Sequence, residues 1–260
     1  MNHFNPAQDS HKAIVANELA WHEEKAHRRF SLDEFLYAPP AFDQVVHSSF
    51  AFLQMSQGEL VLDMGCGEGK ETLQLAQQGL LVVSTDLSHL QLCRARQRVQ
   101  KSALSARVCF VQANAEKLPF APGTFRIIYG KAILHHLDPD LSAQEIKRLL
   151  MRGGRATFAE PMAHHPLFWL VRQVTPQLRT KDEHPLTFME LRNFGAFFSH
   201  SEIEEHFFLT PMSYLFRLLP GGEPLFRRSH TFLQQIDKRL FGIFSLLKRL
   251  AWYGVVKVGR

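Results

Sequence analysis

Between residues 59 and 158 short apolar runs alternate with longer stretches whose apolar residues recur every three or four positions. The short runs are Leu60-Val61-Leu62, residues 80–84, 107–111, 125–129 and 155–158, rich in Val, Ile, Leu and Phe, and they predict strands. The longer stretches predict helices over residues 68–77, 88–101 and 141–150. Gly79 stands at a helix C-terminus, Ser88 at a helix N-cap, and Pro122-Gly123 and Gly153-Gly154 at turns. Strands alternating with helices across short joins imply a parallel sheet with helices on both faces and right-handed crossovers. Ligands of such sheets bind at the carboxyl ends of the strands, near the point where strand order reverses.

Outside this block the pattern is less regular. Residues 11–29 read as a helix with Ile14, Val15, Leu19 and Ala20 as its apolar stripe, and residues 41–56 as a second. After Pro161 the rhythm lapses for about forty residues, too long for an ordinary join, and predicts an insertion over the site. Beyond it the pattern predicts a helix over 199–207 capped by Ser199 or Ser201, a strand over 210–218, a long helix over 231–250 and a last strand over 252–258. The chain therefore divides into a helical extension (1–57), a ligand-binding core (58–160), a covering insertion (161–198) and a C-terminal part of the core with an amphipathic helix (199–260).

Composition narrows this picture. The chain has 260 residues, 45% of them hydrophobic and 21% charged, enough for a sizeable core. Ten of its 22 phenylalanines lie beyond residue 190, from Phe194 to Phe244; packing in a core is the favoured reading, an apolar pocket or surface the other. A net charge of +5 without a run of like charges does not predict nucleic-acid binding. Cys66, Cys93 and Cys109 form no CxxC and fit a reducing compartment. The first twelve residues carry no apolar signal-peptide core, and no apolar stretch reaches bilayer length. A cytoplasmic protein is expected. The final helix carries Phe232, Ile236, Leu240, Phe244 and Leu247 on one stripe, with Lys238, Arg239, Lys248 and Arg249 away from it. Packing of that stripe against the domain or a second subunit, in a monomer or homodimer, is favoured over peripheral contact with a membrane.

The chemistry concentrates at the ends of the predicted strands. Gly65-x-Gly67-x-Gly69 follows the first, with Asp63 at its end. A dinucleotide fingerprint needs a glycine three positions after Gly67, where Lys70 stands; a P-loop needs Gly-Lys-Ser/Thr, and Lys70 is followed by Glu71. Glycines let a ligand approach the backbone, and Asp63 disfavours a pyrophosphate but favours an ammonium group. Asp86 ends the next strand, where a carboxylate accepts hydrogen bonds from ribose hydroxyls.

With these features the sequence resembles the class I S-adenosylmethionine-dependent methyltransferases, in particular the small-molecule, quinone-biosynthesis-like group known as methyltransferase type 11. The resemblance rests on residues 61–69, on Thr85-Asp86-Leu87-Ser88, on residues 112–120, on residues 125–137 and on Met151-Arg152-Gly153-Gly154. It implies a doubly wound, mostly parallel seven-stranded α/β sheet of Rossmann-like form, with N-terminal helices and a helical insertion after the fifth strand. It also implies that Asp63, Gly65, Cys66, Gly67 and Gly69 hold the methionine part of S-adenosylmethionine, with Lys131 nearby. Asp86 would then hold the ribose, Leu87 would pack on the adenine, and Asn114 and Ala115 would reach its edge. Asn114 stands where Asp is commoner in the family, which removes a charge but keeps a hydrogen-bonding group.

Methyl transfer needs alignment of the acceptor, and a base where the acceptor must lose a proton. His135 and His136 follow the fourth strand and are the candidate catalytic residues. Tyr37, Glu160, Arg179 and His184 are candidates for the acceptor side. Asp182, Glu183 and His184 are consecutive and do not share a face, so no metal is expected. The acceptor expected is small and apolar or aromatic, methylated on oxygen or nitrogen in preference to carbon. Two readings from other classes are a non-catalytic S-adenosylmethionine-binding protein and, less favoured, a nucleotide-dependent oxidoreductase.

Overall fold

The computed structural model describes residues 16, 17, 20, 42–174 and 185–260. The expected helix over residues 11–29, and Tyr37, Arg179 and His184, lie wholly or mostly outside them. The order of elements is α1 (Asp43–Leu53), β1 (Leu60–Met64), α2 (Lys70–Gln77), β2 (Leu81–Asp86), α3 (His89–Gln100), β3 (Val108–Gln112), β4 (Phe125–Lys131), α4 (Pro139–Leu149), β5 (Leu150–Pro161), α5 (Pro166–Val174), α6 (Phe188–Gly195), β6 (His200–His206), α7 (Glu223–Ile243) and β7 (Tyr253–Gly259). Short 3-10 turns fill several joins.

Seven strands form one sheet in the order β3-β2-β1-β4-β5-β7-β6. Strands β3 to β5 are mutually parallel, and β7 runs against both of its neighbours. β1 and β4 are apolar almost throughout and nearly fully buried, as central strands covered on both faces must be. β3 is an edge and is only half-buried. Strand order reverses between β1 and β4, so their carboxyl ends define the crevice where a ligand of this architecture sits. Helix starts are set locally. Ser88 accepts from the Gln91 amide, Asp138 accepts from those of Asp140 and Leu141 ahead of Pro139, and Thr187 and Glu190 form a reciprocal capping box.

Two expectations for the C-terminal part are corrected. Residues 199–207 form the strand β6, not a helix. The Ser-x-x-Glu spacings Ser199/Glu202 and Ser201/Glu204 imitate a helix start, but this segment completes the sheet by pairing with β7 from His200↔Gly259 to His206↔Tyr253. Lys257 of β7 meets Glu204 at 2.5 Å across that pairing. Residues 210–218 form a 3-10 helix, not a strand. The cause is Asp237, which is buried and accepts the amides of Phe208, Leu209 and Thr210 and the Thr210 hydroxyl, curling the chain as it leaves β6. The last long helix also starts earlier than expected, at Glu223, and ends at Ile243, with a 3-10 turn over Ser245–Leu250. Gly153 and Gly154 lie inside β5, where its register against β4 shifts, rather than in a turn before it.

Phenylalanine packing explains much of the C-terminal composition. Phe207 and Phe226 join Phe42, Phe168, Tyr214, Trp252 and Tyr253 in an aromatic cluster, while Phe194, Phe198 and Phe241 belong to the main core. Trp252 stacks on Phe168 with ring centroids 3.8 Å apart, which ties α5 to the start of β7. Phe232 and Phe244, by contrast, are exposed. Phe226→Ala is therefore expected to cost about 3–5 kcal/mol. Phe244→Ala should stay within about 0.5 kcal/mol of the wild type. Urea denaturation of both variants checks the pair.

Candidate active site

The loop after β1 is built for close approach. Gly65, Gly67 and Gly69 all have positive φ (72°, 50° and 73°). The amides of Gly65 and Cys66 both donate to the Thr85 carbonyl at 2.9 Å, which fastens the loop to the end of β2. A Cβ at Gly65 would strike Ile133 at 2.7 Å, and one at Gly69 would strike Ala95 at 2.7 Å. At Gly67 it would meet nothing within 4 Å, so the loop turns an open side away from the protein. Cys66 is buried there, and burial pushes its thiol far up, which makes it a packing group rather than a nucleophile.

Asp86 links the loop to the next helix. Its Oδ2 accepts the Gly67 amide at 2.8 Å and its Oδ1 accepts the Ser88 amide at 2.9 Å. Each oxygen keeps a second lone pair for an incoming hydroxyl. Burial raises its pKa, opposed by those amides and by His136. Leu87 beside it is half-buried. Asn114 follows β3; its Oδ1 accepts the Glu116 amide at 2.9 Å and shapes the turn in which Ala115 is buried.

Asp63 lies beneath the loop, 2% exposed, and accepts the Thr72 hydroxyl at 2.5 Å; Ser84 donates in turn to Thr72. Burial pushes the Asp63 carboxyl up to about 7, against the lowering effect of Thr72. Lys131, at the end of β4, is ion-paired with Glu71 of α2. Thr72 and Glu71 escape sequence reasoning. Nothing in a helix pattern marks two inward polar residues, although Lys70-Glu71-Thr72 directly after the glycines was a visible polar run.

The raised Asp63 pKa has a measurable consequence. The folded chain holds this proton more tightly than the unfolded chain, whose carboxyl titrates near 3.8. The resulting stability is complete below pH 4 and is lost as pH rises to about 7. Asp63→Asn should therefore gain stability relative to the wild type as pH rises from 4 to 8, by more than about 1 kcal/mol. Melting curves across that range check it, and parallel curves would contradict it.

On the other side of the crevice β4 ends in a tight turn. Ala132 sits at φ 54°, unusual for a residue with a Cβ, and its amide donates to the Ala159 carbonyl of β5. Fully buried Glu160, from β5, then gathers the whole turn. Its Oε1 accepts the amides of Ile133 and Leu134 at 3.0 and 2.9 Å, and its Oε2 lies 2.7 Å from His135 Nδ1. That pairing assigns the proton to Nδ1 and leaves Nε2 as an acceptor. The rings of His135 and His136 lie 4.0 Å apart. Glu160, expected on the acceptor side, is placed behind His135, with both oxygens engaged by residues 133–135.

Comparison with known proteins agrees with this geometry. Residues 62–158 match the family described as "Methyltransferase domain", type 11. This segment is a class I S-adenosylmethionine-dependent methyltransferase domain of the type 11 group. Among curated relatives, the chain is 36% identical over 122 residues to methyltransferase GfsG of Streptomyces halstedii, covering 46% of this chain and 44% of that protein. It is 28% identical over 140 residues to 27-O-demethylrifamycin SV methyltransferase of Amycolatopsis mediterranei, covering 53% and 51%. The chain thus spans about half the length of the curated relatives it matches. Geranyl diphosphate C-methyltransferase of Streptomyces coelicolor A3(2) shares the fold with a TM-score of 0.59 at 16% identity, over 90% of this chain and 86% of that one.

The cofactor of this domain is S-adenosylmethionine, and the residues present fit it. The open side of Gly67, the Asp86 carboxylate at the next strand end and a buried acid beneath the loop suit a ligand with a ribose and a cationic amino-acid end.

Proposed function

We propose that the whole chain is an O-methyltransferase acting on a hydroxyl of a small, largely apolar acceptor, with His135 as general base. The Glu160–His135 pair carries this reading. A hydroxyl must lose its proton as the new bond to carbon forms, and an imidazole held by a buried carboxylate is suited to take it. Carbon acceptors with an alkene nucleophile, or amines with a free lone pair, need no such base before attack. When bound, the cofactor supplies a methyl group activated by a sulfonium.

The chain's own residues do the rest. Asp86 receives the ribose hydroxyls, the open side of the glycine loop at Gly67 admits the methionine end above buried Asp63, and Leu87, Asn114 and Ala115 flank the adenine. Lys131 stays tied to Glu71 and neutralises a carboxylate that would otherwise add charge beside Asp63. Glu160 fixes the ring plane and tautomer of His135, so that Nε2 is the atom that accepts the proton. His136 packs on that ring.

A screen with donor carrying a deuterated methyl group tests the proposal. Apolar metabolites bearing hydroxyl groups should yield a product heavier by one deuterated methyl, placed on oxygen by fragmentation. A product labelled only on carbon or nitrogen would overturn the oxygen assignment.

A further inference from the structure

Helix α7 has three faces rather than two. Phe226, His230, Asp237 and Phe241 are buried and point into the domain. At about 100° per residue, Leu225, Phe232, Ile236 and Ile243 fall on a separate line, roughly 130° away round the helix. Phe232 and Ile236 belong to the stripe expected to pack, yet Phe232 is 62% exposed, and Leu225 and Ile243 on the same line are 47% and 71% exposed. Arg228 and Arg239 lie along the same flank, exposed. The two acidic residues of α7 do not offset them. Asp237 is buried on backbone amides, and Glu223 pairs with Arg217 and Arg227.

Further exposed apolar residues lie on elements that leave the sheet at one end. β5 and β6 finish, and β7 begins, at the paired residues Pro161, His206 and Tyr253. Exposed Leu215, Leu218 and Leu219 follow β6, exposed Phe244 and Leu246 precede β7, and exposed Leu167, Trp169 and Leu170 follow β5 on α5. This is the end at which β1, β2 and β4 present the cofactor loop, Asp86 and the His135 turn.

We infer that this face seats the protein on an anionic lipid surface, with α7 lying in the plane of the interface. An apolar line flanked by arginines fits acyl chains below and anionic headgroups beside them. A second copy of the same face fits less well, because its arginines would oppose these. No described helix is long and apolar enough to cross a membrane, so the contact is peripheral. The inference does not depend on the methylated atom.

Co-sedimentation of the full chain with phosphatidylcholine vesicles, with and without phosphatidylglycerol, tests it. Binding is expected with phosphatidylglycerol only, falling at high salt. The double variant Arg228→Gln/Arg239→Gln should weaken partitioning roughly twenty-fivefold, at about fivefold per surface charge. Phe232→Glu/Ile243→Glu should abolish it while cofactor affinity and melting temperature hold. Should the apolar variant fail to fold, the arginine variant alone decides. Absence of binding to anionic vesicles overturns the inference, as does binding that both variants leave unchanged. A wild-type dimer that becomes monomeric in the apolar variant, without vesicle binding, assigns the face to a second copy and also overturns it.

Discussion

Glu160→Gln is expected to lower kcat by roughly 10²–10³-fold while leaving cofactor affinity and acceptor KM within about threefold. The substitution keeps volume and keeps an oxygen for the amides of Ile133 and Leu134, so the turn after β4 survives. What changes is the group facing His135 Nδ1. An amide nitrogen there can only donate, which forces Nδ1 to accept and moves the imidazole proton to Nε2. In the proposed mechanism, His135 is then protonated on the atom that would receive the hydroxyl proton. In that mechanism Glu160 acts through His135, as a positioning residue. Glu160→Asp, which keeps the charge, should recover part of the rate. His135→Ala should lose as much as Glu160→Gln, and added imidazole should restore some of it. A purely structural role would instead move KM, cofactor affinity and melting temperature together, and imidazole would do nothing.

Asp86→Ala is the second large effect, and it falls on binding rather than turnover. Hydrogen bonds to a charged group contribute about 1.5–3 kcal/mol each, so losing two from a ribose should weaken S-adenosylmethionine binding by at least about a hundredfold. The loop also loses its tether at the Gly67 amide. Asp86→Asn keeps one acceptor and should fall in between. Equilibrium dialysis with labelled cofactor measures all three proteins; affinities equal within threefold would exclude Asp86 from the cofactor site.

The contrast between the two halves of the chain shows what a sequence can disclose. Core strands β1, β2 and β4 are legible because burial demands apolar runs, and β5 only over 155–158, since its first half carries Arg152, Gly153 and Gly154. The glycine loop is legible because positive φ at three positions leaves little choice of residue. β6 is not, since His-Ser-Glu-Ile-Glu-Glu-His contains one apolar residue and is a strand only because β7 pairs with it. The 3-10 turn at Thr210–Leu218 depends on Asp237, 27 residues from Thr210. The same limit applies at the site. That His135 and His136 follow β4 is legible in the sequence, but the partner of His135 is not: Glu160 reads as an acceptor contact until the fold brings β5 behind the turn. The stripe on α7 shows the opposite failure: a correct helical period, with the core on a different face.

Calorimetric titration of S-adenosylmethionine into the full chain tests the central claim most directly. One saturable site per chain is expected, with competition by S-adenosylhomocysteine and none by a nicotinamide dinucleotide. Absence of a saturable signal, or displacement by the dinucleotide, would contradict it.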